Sequence, residues 1–248
     1  METACTINSG TAWTTKAACT FGTQIYDVSF PTTSLIVVGG NDAAGNDHIV
    51  FSTDGGTNWT NATTSPAGAV AALDMYDGTN GMAIRANADV WKTVDGAVNW
   101  TNTGTAISGA SNIMACYMTS ATNYVVAVAQ PHGGGFAYRI RKGDLTSGTY
   151  SNVDLTFGSS NDVYCSEFYK STNGNLYILF DEGRTTMLLK SPDNGTSWYS
   201  RILDVDSQSD RTIKCGVISE GANNEILVIK SNNDGTYVDV KIWAIKEA

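Results

Sequence analysis

The sequence is poor in charge and in the residues that mark common catalytic and metal sites. Only 16% of its 248 residues are charged, two are histidines and four are prolines. The cysteines contain no CxxC pair, which argues against a zinc site and against a dense disulfide framework. The five of them are Cys5, Cys19, Cys116, Cys165 and Cys215. We therefore expect free thiols and no cofactor.

Long apolar runs and basic clusters are missing as well. No segment approaches the ~18 apolar residues that a membrane-spanning helix needs. Residues 1–10 lack the basic and apolar segments of a secretory signal. The net charge of −9 opposes binding to a phosphate backbone. These features predict a soluble chain without a signal peptide, membrane insertion or nucleic-acid binding, and they leave its compartment unknown.

Thr, Ser, Asn and Gly are abundant, and they favour short strands joined by tight turns. One octapeptide recurs: STDGGTNW at 52–59, TVDGAVNW at 93–100 and SPDNGTSW at 191–198. Asp54 and Asp95 are 41 residues apart, and Asp193 follows 98 residues after Asp95, which is twice 49. A degenerate copy with Asp144 lies at 141–150. Such periods indicate a repeat architecture.

Short apolar or β-branched runs precede each octapeptide in the same order. The runs before the second copy are VAALDMY (70–76), GMAIRA (81–86) and DVWKT (89–93). Three strands, the octapeptide and a fourth strand make a unit of the size of a propeller blade. We predict an all-β chain that forms a β-propeller of five four-stranded blades, with six blades as the alternative.

The N-terminus is predicted to complete the last blade. TINSGTAWT at 6–14 aligns with the first octapeptide, with Asn8 in the Asp position and Trp13 in the Trp position. An N-terminal strand would then close the ring and remove a sheet edge. The chain is read as one domain, 1–248, with repeats at about 20–64, 68–104, 110–156, 160–204 and 211–246 plus 6–16.

The recurring S/T-x-D-x-G-x-x-W pattern resembles the Asp-box (BNR) repeat of sialidase-like β-propellers. The matching residues are Asp54, Gly56, Trp59, Asp95, Trp100, Asp193, Gly195 and Trp198. We expect structural roles for them. The Asp accepts hydrogen bonds from backbone N–H groups of its own turn, Gly permits a positive φ, and Trp covers the turn. The resemblance leaves function open, because the repeat occurs in sialidases, other glycosidases, lectins, sorting receptors, assembly factors and virion proteins.

No coherent catalytic set emerges from the sequence. The sialidase resemblance implies an arginine triad and an Arg-Ile-Pro motif, and this sequence has no such motif. Tyr164 and Glu167 with Arg139 or Arg184 are the nearest match, and we interpret them as a channel lining. Asp204, Asp206 and Asp210 form a weak calcium candidate, since the later Gly and Glu of a calcium loop are missing. We expect a protein that is not an enzyme.

Two functional hypotheses remain. The first is a structural or interaction module with a protein partner in an assembly. The composition is similar to that of bacteriophage capsid, tail or fibre-associated proteins, so a virion location is one form of it. The second is a carbohydrate-binding or glycoside-hydrolase-type propeller. Possible ligand-binding residues are Trp91, Tyr138, Arg139, Tyr164 and Glu167.

Overall fold

The computed structural model describes part of the chain. Its described backbone covers residues 3–5, 14–16, 24–41, 47–132, 135–160, 163–182, 185–205, 212–221, 225–233 and 238–246. Within these ranges the side chains of 24–41, 49–131, 138–151, 165–180, 185–205, 216–221, 225–229 and 240–246 are described. These residues form strands and turns, with no helix among them, so the all-β prediction is confirmed.

The first two large sheets are antiparallel and four-stranded. The first has the order β3-β4-β5-β6 and the second β10-β9-β8-β7. The strands of the first are β3 (Gln24–Ser29), β4 (Ile36–Asn41), β5 (Asp47–Ser52) and β6 (Thr60–Asn61). Those of the second are β7 (Val70–Met75), β8 (Gly81–Arg85), β9 (Asp89–Thr93) and β10 (Thr101–Ala106).

The next two sheets follow the same sequential order. The third is β11-β12-β13-β14, and the fourth is β15-β17-β18-β19 with β16 paired to β17. The third contains β11 (Asn112–Met118), β12 (Asn123–His132), β13 (Gly135–Asp144) and β14 (Thr149–Ser160). The fourth contains β15 (Val163–Cys165), β16 (Tyr169–Lys170), β17 (Leu176–Glu182), β18 (Thr185–Ser191) and β19 (Tyr199–Val205).

The last large sheet has three described strands, in the order β20-β21-β22. They are β20 (Thr212–Glu220), β21 (Glu225–Asn233) and β22 (Val238–Lys246). Near the N-terminus, β1 (Thr3–Cys5) and β2 (Thr14–Lys16) pair with each other in a two-stranded sheet. The closure of a ring by an N-terminal strand, and the number of blades, therefore stay predictions.

The chain divides into two compact units. One comprises Met1–Ser108, Tyr117–Tyr124 and Gly143–Thr149; the other comprises Gly109–Cys116, Val125–Lys142 and Tyr150–Ala248. The reading of 1–248 as one domain stays a prediction.

Each unit has its own apolar core between packed sheets. In the first unit Val37 and Ile49 of the first sheet pack with Leu73 and Ala83 of the second. In the second unit Leu179 and Leu188 pack with Ile218, Ile226 and Val228. Central strands are apolar without alternation because both faces are buried, as in Leu176–Phe180 of β17.

Candidate functional site

The first octapeptide forms a turn that is closed by its own side chains. Ser52 donates from Oγ to Oδ1 of Asp54 (2.8 Å), and the backbone N–H of Gly56 donates to the Ser52 hydroxyl (2.8 Å). The N–H groups of Thr57 and Asn58 donate to Asp54 Oδ1 at 3.0 and 2.8 Å. The carboxylate therefore ties four residues of one turn together.

The other two copies repeat this geometry; we call all three the box turns (52–59, 93–100 and 191–198). Asp95 Oδ1 accepts from Thr93 Oγ1 and the Asn99 N–H, both at 2.9 Å. Asp193 Oδ1 accepts from Ser191 Oγ at 2.9 Å and the Ser197 N–H at 2.7 Å. The carboxylates in all three turns are thus occupied by local donors.

Two consecutive residues in each box turn have a positive φ. The pairs are Gly55–Gly56 (66° and 84°), Gly96–Ala97 (73° and 72°) and Asn194–Gly195 (53° and 83°). Glycine adopts this conformation without steric cost, which explains its place after the Asp. Ala97 adopts it as a non-glycine residue.

The box tryptophans close the turns. The indole N–H donates to the backbone carbonyl three residues earlier, from Trp100 to Ala97 (3.1 Å) and from Trp198 to Gly195 (3.2 Å). Trp100 is buried, and Trp59 is half-buried against Val38 and Val50. Asn8 and Trp13, the N-terminal counterparts, lie outside the described residues.

The box carboxylates are strongly stabilised in the charged form. Hydrogen bonds from Asn58 and Ser52 lower the pKa of Asp54 to about 2. At Asp95 partial burial opposes the shift, but hydrogen bonds from Asn99 and Thr93 outweigh it and lower the pKa. The Ser197 N–H is the main cause of the lowered pKa of Asp193. Asp144, in the degenerate copy, has a lowered pKa through the N–H groups of Ser147 and Thr146. Such pKa values suit a turn and not a general acid.

Two acids outside the box turns link neighbouring sheets. Asp27 of β3 accepts from the N–H of Leu73 on β7 (2.7 Å), and Asp74 of β7 accepts from the N–H of Met118 on β11 (2.7 Å). Ser29 Oγ donates to Asp74 Oδ1 (3.1 Å). A carboxylate in one first strand thus bonds to the backbone of the first strand of the next sheet.

These linking acids have raised pKa values. Burial raises the pKa of Asp27 to about 6, against hydrogen bonds from Leu73 and Val28, and the Asp74 charge raises it further. Burial likewise raises the pKa of Asp74 to about 6, against hydrogen bonds from Met118 and Ser29. The hydrogen bonds of this pair could not be predicted from the sequence, because their backbone partners carry no sequence signal.

Glu167 lies at a cavity of the second unit. The cavity measures about 340 Å³ and lies between Ser166–Tyr169 and Gly216–Ile218 of β20. Glu167 is exposed, Phe168 and Ile218 are buried, and Val217 is 49% exposed. We call this cavity the Glu167 groove; it combines an apolar surface with a carboxylate at the solvent.

The other predicted ligand-binding residues lie elsewhere. Trp91 is half-buried against the core of the first unit, and Tyr138 is 4% exposed, so its ring is covered by protein. Arg139 is half-buried on β13. The backbone of Tyr164 pairs with Asp181, and its side chain lies outside the described residues. Apart from Glu167, none of these residues lines the Glu167 groove as described.

The calcium candidate is described only at one residue. Asp204 forms an ion pair with Lys241 of β22. Asp206 and Asp210 lie outside the described residues. Within the described part of the chain, no three His, Cys, Asp or Glu side chains are grouped as a metal site would require. No described helix has the length and apolarity to cross a membrane.

No protein-family model matches the chain, and no curated protein matches its sequence. Solved structures match it along most of its length. The GH74 xyloglucanase from Xanthomonas campestris has a TM-score of 0.64 at 12% identity, covering 89% of this chain and 37% of that one. YCF48 bound to a D1 peptide has a TM-score of 0.57 at 15% identity, covering 94% and 72%.

A third match is the fungal lectin from Aleuria aurantia, a six-bladed β-propeller with fucose recognition. Its TM-score is 0.53 at 13% identity, covering 89% of this chain and 77% of the lectin. The chain has a β-propeller fold. This β-propeller spans little more than a third of the length of the xyloglucanase. At these identities the likeness concerns the fold alone.

Proposed function

We propose that this β-propeller is a non-catalytic module that recognises a partner protein through the Glu167 groove. The observation that carries the proposal is the pairing of an exposed carboxylate with an apolar surface. Glu167 lies beside Phe168, Val217 and Ile218 around a cavity of about 340 Å³. A net charge of −9 favours a basic partner. The segment that fits is an extended peptide with an apolar side chain next to Lys or Arg.

The hydrogen bonding of the other acids supports a non-catalytic role. Glycoside hydrolysis needs two carboxyl groups at a defined separation, one of them a proton donor. Asp54, Asp95 and Asp193 accept hydrogen bonds within their own turns. Asp27 and Asp74 bond to neighbouring backbone. We further propose that the box turns are Asp-box repeats, since their hydrogen bonds are those expected of a structural Asp.

We also propose that this module acts in the assembly of a virus particle. The composition, rich in Thr, Ser, Asn and Gly and poor in Lys, supports a bacteriophage virion protein whose partner is another particle component. A rigid β-fold with exposed loops suits docking without rearrangement.

A peptide array tests the proposal. It carries peptides with an apolar residue beside Lys, Arg or a neutral Gln, and the purified chain is applied to it. Basic peptides should bind, and Glu167→Gln should weaken their binding about tenfold, because a charge-assisted hydrogen bond is lost. Val217→Ser should weaken the binding of all peptides, because it removes part of the apolar surface of the groove. The matched control is Val205→Ser, also an exposed valine, which lies outside the groove.

Three results would contradict the proposal. They are an array without binding, equal binding of Lys and Gln peptides, and equal effects of the Val217 and Val205 substitutions. Thermal unfolding of each variant checks that it folds.

Glycan binding is the second candidate, and exposed aromatic rings favour it. Phe30 directly follows β3 and is 62% exposed, and Tyr76 directly follows β7 and is 48% exposed. These first strands are linked by the Asp27–Leu73 hydrogen bond, so the two rings lie at the same end of neighbouring sheets. Exposed aromatic rings of this kind can stack on a sugar face.

A glycan array separates the two candidates. Binding of a glycan that is lost in both Phe30→Ala and Tyr76→Ala but retained in Glu167→Gln would favour the second. A blank glycan array beside a positive peptide array would favour the first.

A further inference from the structure

A row of aromatic and cationic side chains crosses the fourth sheet. In the register of its strands, Tyr177 of β17 is opposite Lys190 of β18, and Lys190 is opposite Tyr199 of β19. The next row on the same face places Leu188 opposite Arg201, because side chains two residues apart share a face. The Lys190 Nζ lies 5.9 Å from the centre of the Tyr177 ring. The sheet therefore presents Lys190 between two tyrosine rings, with Arg201 in the next row of the same face.

The last sheet supplies the opposite wall. Ile226 of β21 and Ile245 of β22 are cross-strand neighbours, and both pack with Tyr177 and Leu188 in the core of the second unit. These residues enclose a cavity of about 200 Å³, which Lys246 and Arg201 also line. This is about the liquid volume of seven water molecules, so the cavity admits a small ligand. We call it the Lys190 cavity.

The charge of the Lys190 cavity is opposite to that of the chain. Lys190, Arg201 and Lys246 line it, and none of its lining residues is acidic. Glu225 is opposite Lys246 in the β21–β22 register but does not line the cavity. In a chain with a net charge of −9, three cations around one apolar cavity make a local site for an anion.

A buried hydroxyl group also favours an anion in the Lys190 cavity. Tyr177 lines the Lys190 cavity, is 2% exposed, and has a buried hydroxyl oxygen without a hydrogen-bond partner among the described residues. Buried polar groups are nearly always hydrogen-bonded in folded proteins. A carboxylate in the cavity would accept a hydrogen bond from this hydroxyl while facing the cations.

We propose that the Lys190 cavity binds a small organic carboxylate with a planar or apolar body. The carboxylate contacts Arg201 and Lys246, which lie on the outer strands of the two sheets, and Tyr177 donates to it. The body packs on Leu188, Ile226 and Ile245. This site is separate from the Glu167 groove, and the proposal stands whether or not the groove binds a peptide.

Titration calorimetry with three probes tests this site in the full chain. Benzoate has the charge and the planar body, benzamide has the body alone, and inorganic sulfate has the charge alone. Benzoate should bind with 1:1 saturation and at least about tenfold more tightly than the other two, because only it satisfies both features.

Substitutions of residues that line the Lys190 cavity test which of them contact benzoate. Arg201→Gln and Lys246→Gln should each weaken benzoate binding about tenfold. Tyr177→Phe, which retains the ring, should weaken it about fivefold through the lost hydrogen bond. The matched control is Lys170→Gln, which removes an exposed cation outside the cavity and should leave the dissociation constant unchanged.

Several outcomes would overturn the proposal. The proposal would be overturned if benzoate showed no saturable binding at 10 mM, a concentration roughly tenfold above the dissociation constants of weak specific sites. Benzamide or sulfate binding as tightly as benzoate would also overturn it, as would a loss in Lys170→Gln equal to that in Arg201→Gln. Since Tyr177→Phe conserves packing, its binding remains a valid test if a charge variant fails to fold.

Discussion

The Oδ2 atom of Asp74 accepts a 2.7 Å hydrogen bond from the backbone N–H of Met118, which lies 44 residues further along the chain. The bond joins β7 of the second sheet to β11 of the third. The same relation joins Asp27 of β3 to Leu73 of β7. These two bonds hold the first strands of three consecutive sheets together, and they do so with carboxylates that burial makes harder to ionise.

Stability should fall as the pH rises through about 6. The pKa values of Asp27 and Asp74 are raised from 3.8 to about 6 in the folded state. A raised pKa stabilises the fold below the unfolded value of 3.8, and this contribution is lost as the pH passes about 6. Over the whole range each carboxylate contributes on the order of 3 kcal/mol, of which about 1.4 kcal/mol is lost between pH 5 and pH 8. Urea unfolding at pH 5 and pH 8 should give the larger unfolding free energy at pH 5.

Asp74→Asn isolates this effect. An Asn side chain can still accept from Met118 and can donate to Ser29, so the contact is preserved without a titratable group. The difference between pH 5 and pH 8 should shrink by roughly half in this variant. Asp77→Asn is the matched control. The pKa of Asp77 is lowered to about 2, since its hydrogen bonds from Asn80 and Thr79 outweigh desolvation, so its slope between pH 5 and 8 should equal that of the wild type. An unchanged slope in Asp74→Asn would refute the prediction.

The box turns should lose stability at low pH, which is the opposite of the pH dependence expected for Asp27 and Asp74. The pKa of Asp54 is lowered from 3.8 to about 2 by hydrogen bonds from Asn58 and Ser52. Its stabilisation is present above pH 3.8 and is lost as the pH falls towards 2. Together with the linking acids, this places maximum stability near pH 4. Thermal unfolding across pH 2–8 measures the profile. A maximum above pH 6 would contradict the raised pKa values of Asp27 and Asp74, and a stability that does not fall between pH 4 and pH 2 would contradict the lowered pKa of Asp54.

Removing the buried hydroxyl of a box turn should be costly. Ser191 is fully buried, donates to Asp193 and accepts from the Gly195 N–H. Ser191→Ala leaves that N–H without its partner, which costs about 1–3 kcal/mol. Ser191→Thr retains a hydroxyl, as Thr93 does in the second box turn, and should lose less. Urea unfolding measures both variants, and equal losses would show that the hydroxyl is not the cause.

Two glycines with the same φ separate backbone strain from packing. Gly174 and Gly195 both have φ near 83°. A Cβ at Gly174 meets no atom within 4 Å, whereas a Cβ at Gly195 would lie 2.2 Å from Val125 Cγ1. Gly174→Ala should cost about 1 kcal/mol from the left-handed conformation alone, and Gly195→Ala about 2–4 kcal/mol because overpacking is added. Chemical denaturation compares them, and similar losses would mean that Val125 moves aside freely.

The parts of the fold that depend on local sequence were predictable. The box turns are closed by residues within five positions of the Asp, so the pattern itself contains donor and acceptor. The first strand of the second repeat was also predictable, since the run VAALDMY at 70–76 corresponds to β7 (Val70–Met75). Cys165 is a free thiol, as predicted.

The contacts between sheets could not be predicted from the sequence. Asp27 and Asp74 bond to backbone N–H groups, which every residue except proline carries, so no residue type announces the partner. The Tyr177, Lys190 and Tyr199 row requires the strand register, which short strands with irregular loops do not reveal. Glu167 was identified as a candidate, but Val217 and Ile218 beside it come from a repeat about 50 residues away.

The linking carboxylates also make the first and second repeats dependent on the repeat that follows each of them. Asp27 belongs to the first sheet, yet its acceptor oxygen is satisfied by the second. Deleting a single repeat, or moving it to another position, would therefore leave a buried carboxyl group without its hydrogen-bond donor. These repeats are therefore not interchangeable, because the polar contacts between them require a fixed order along the chain.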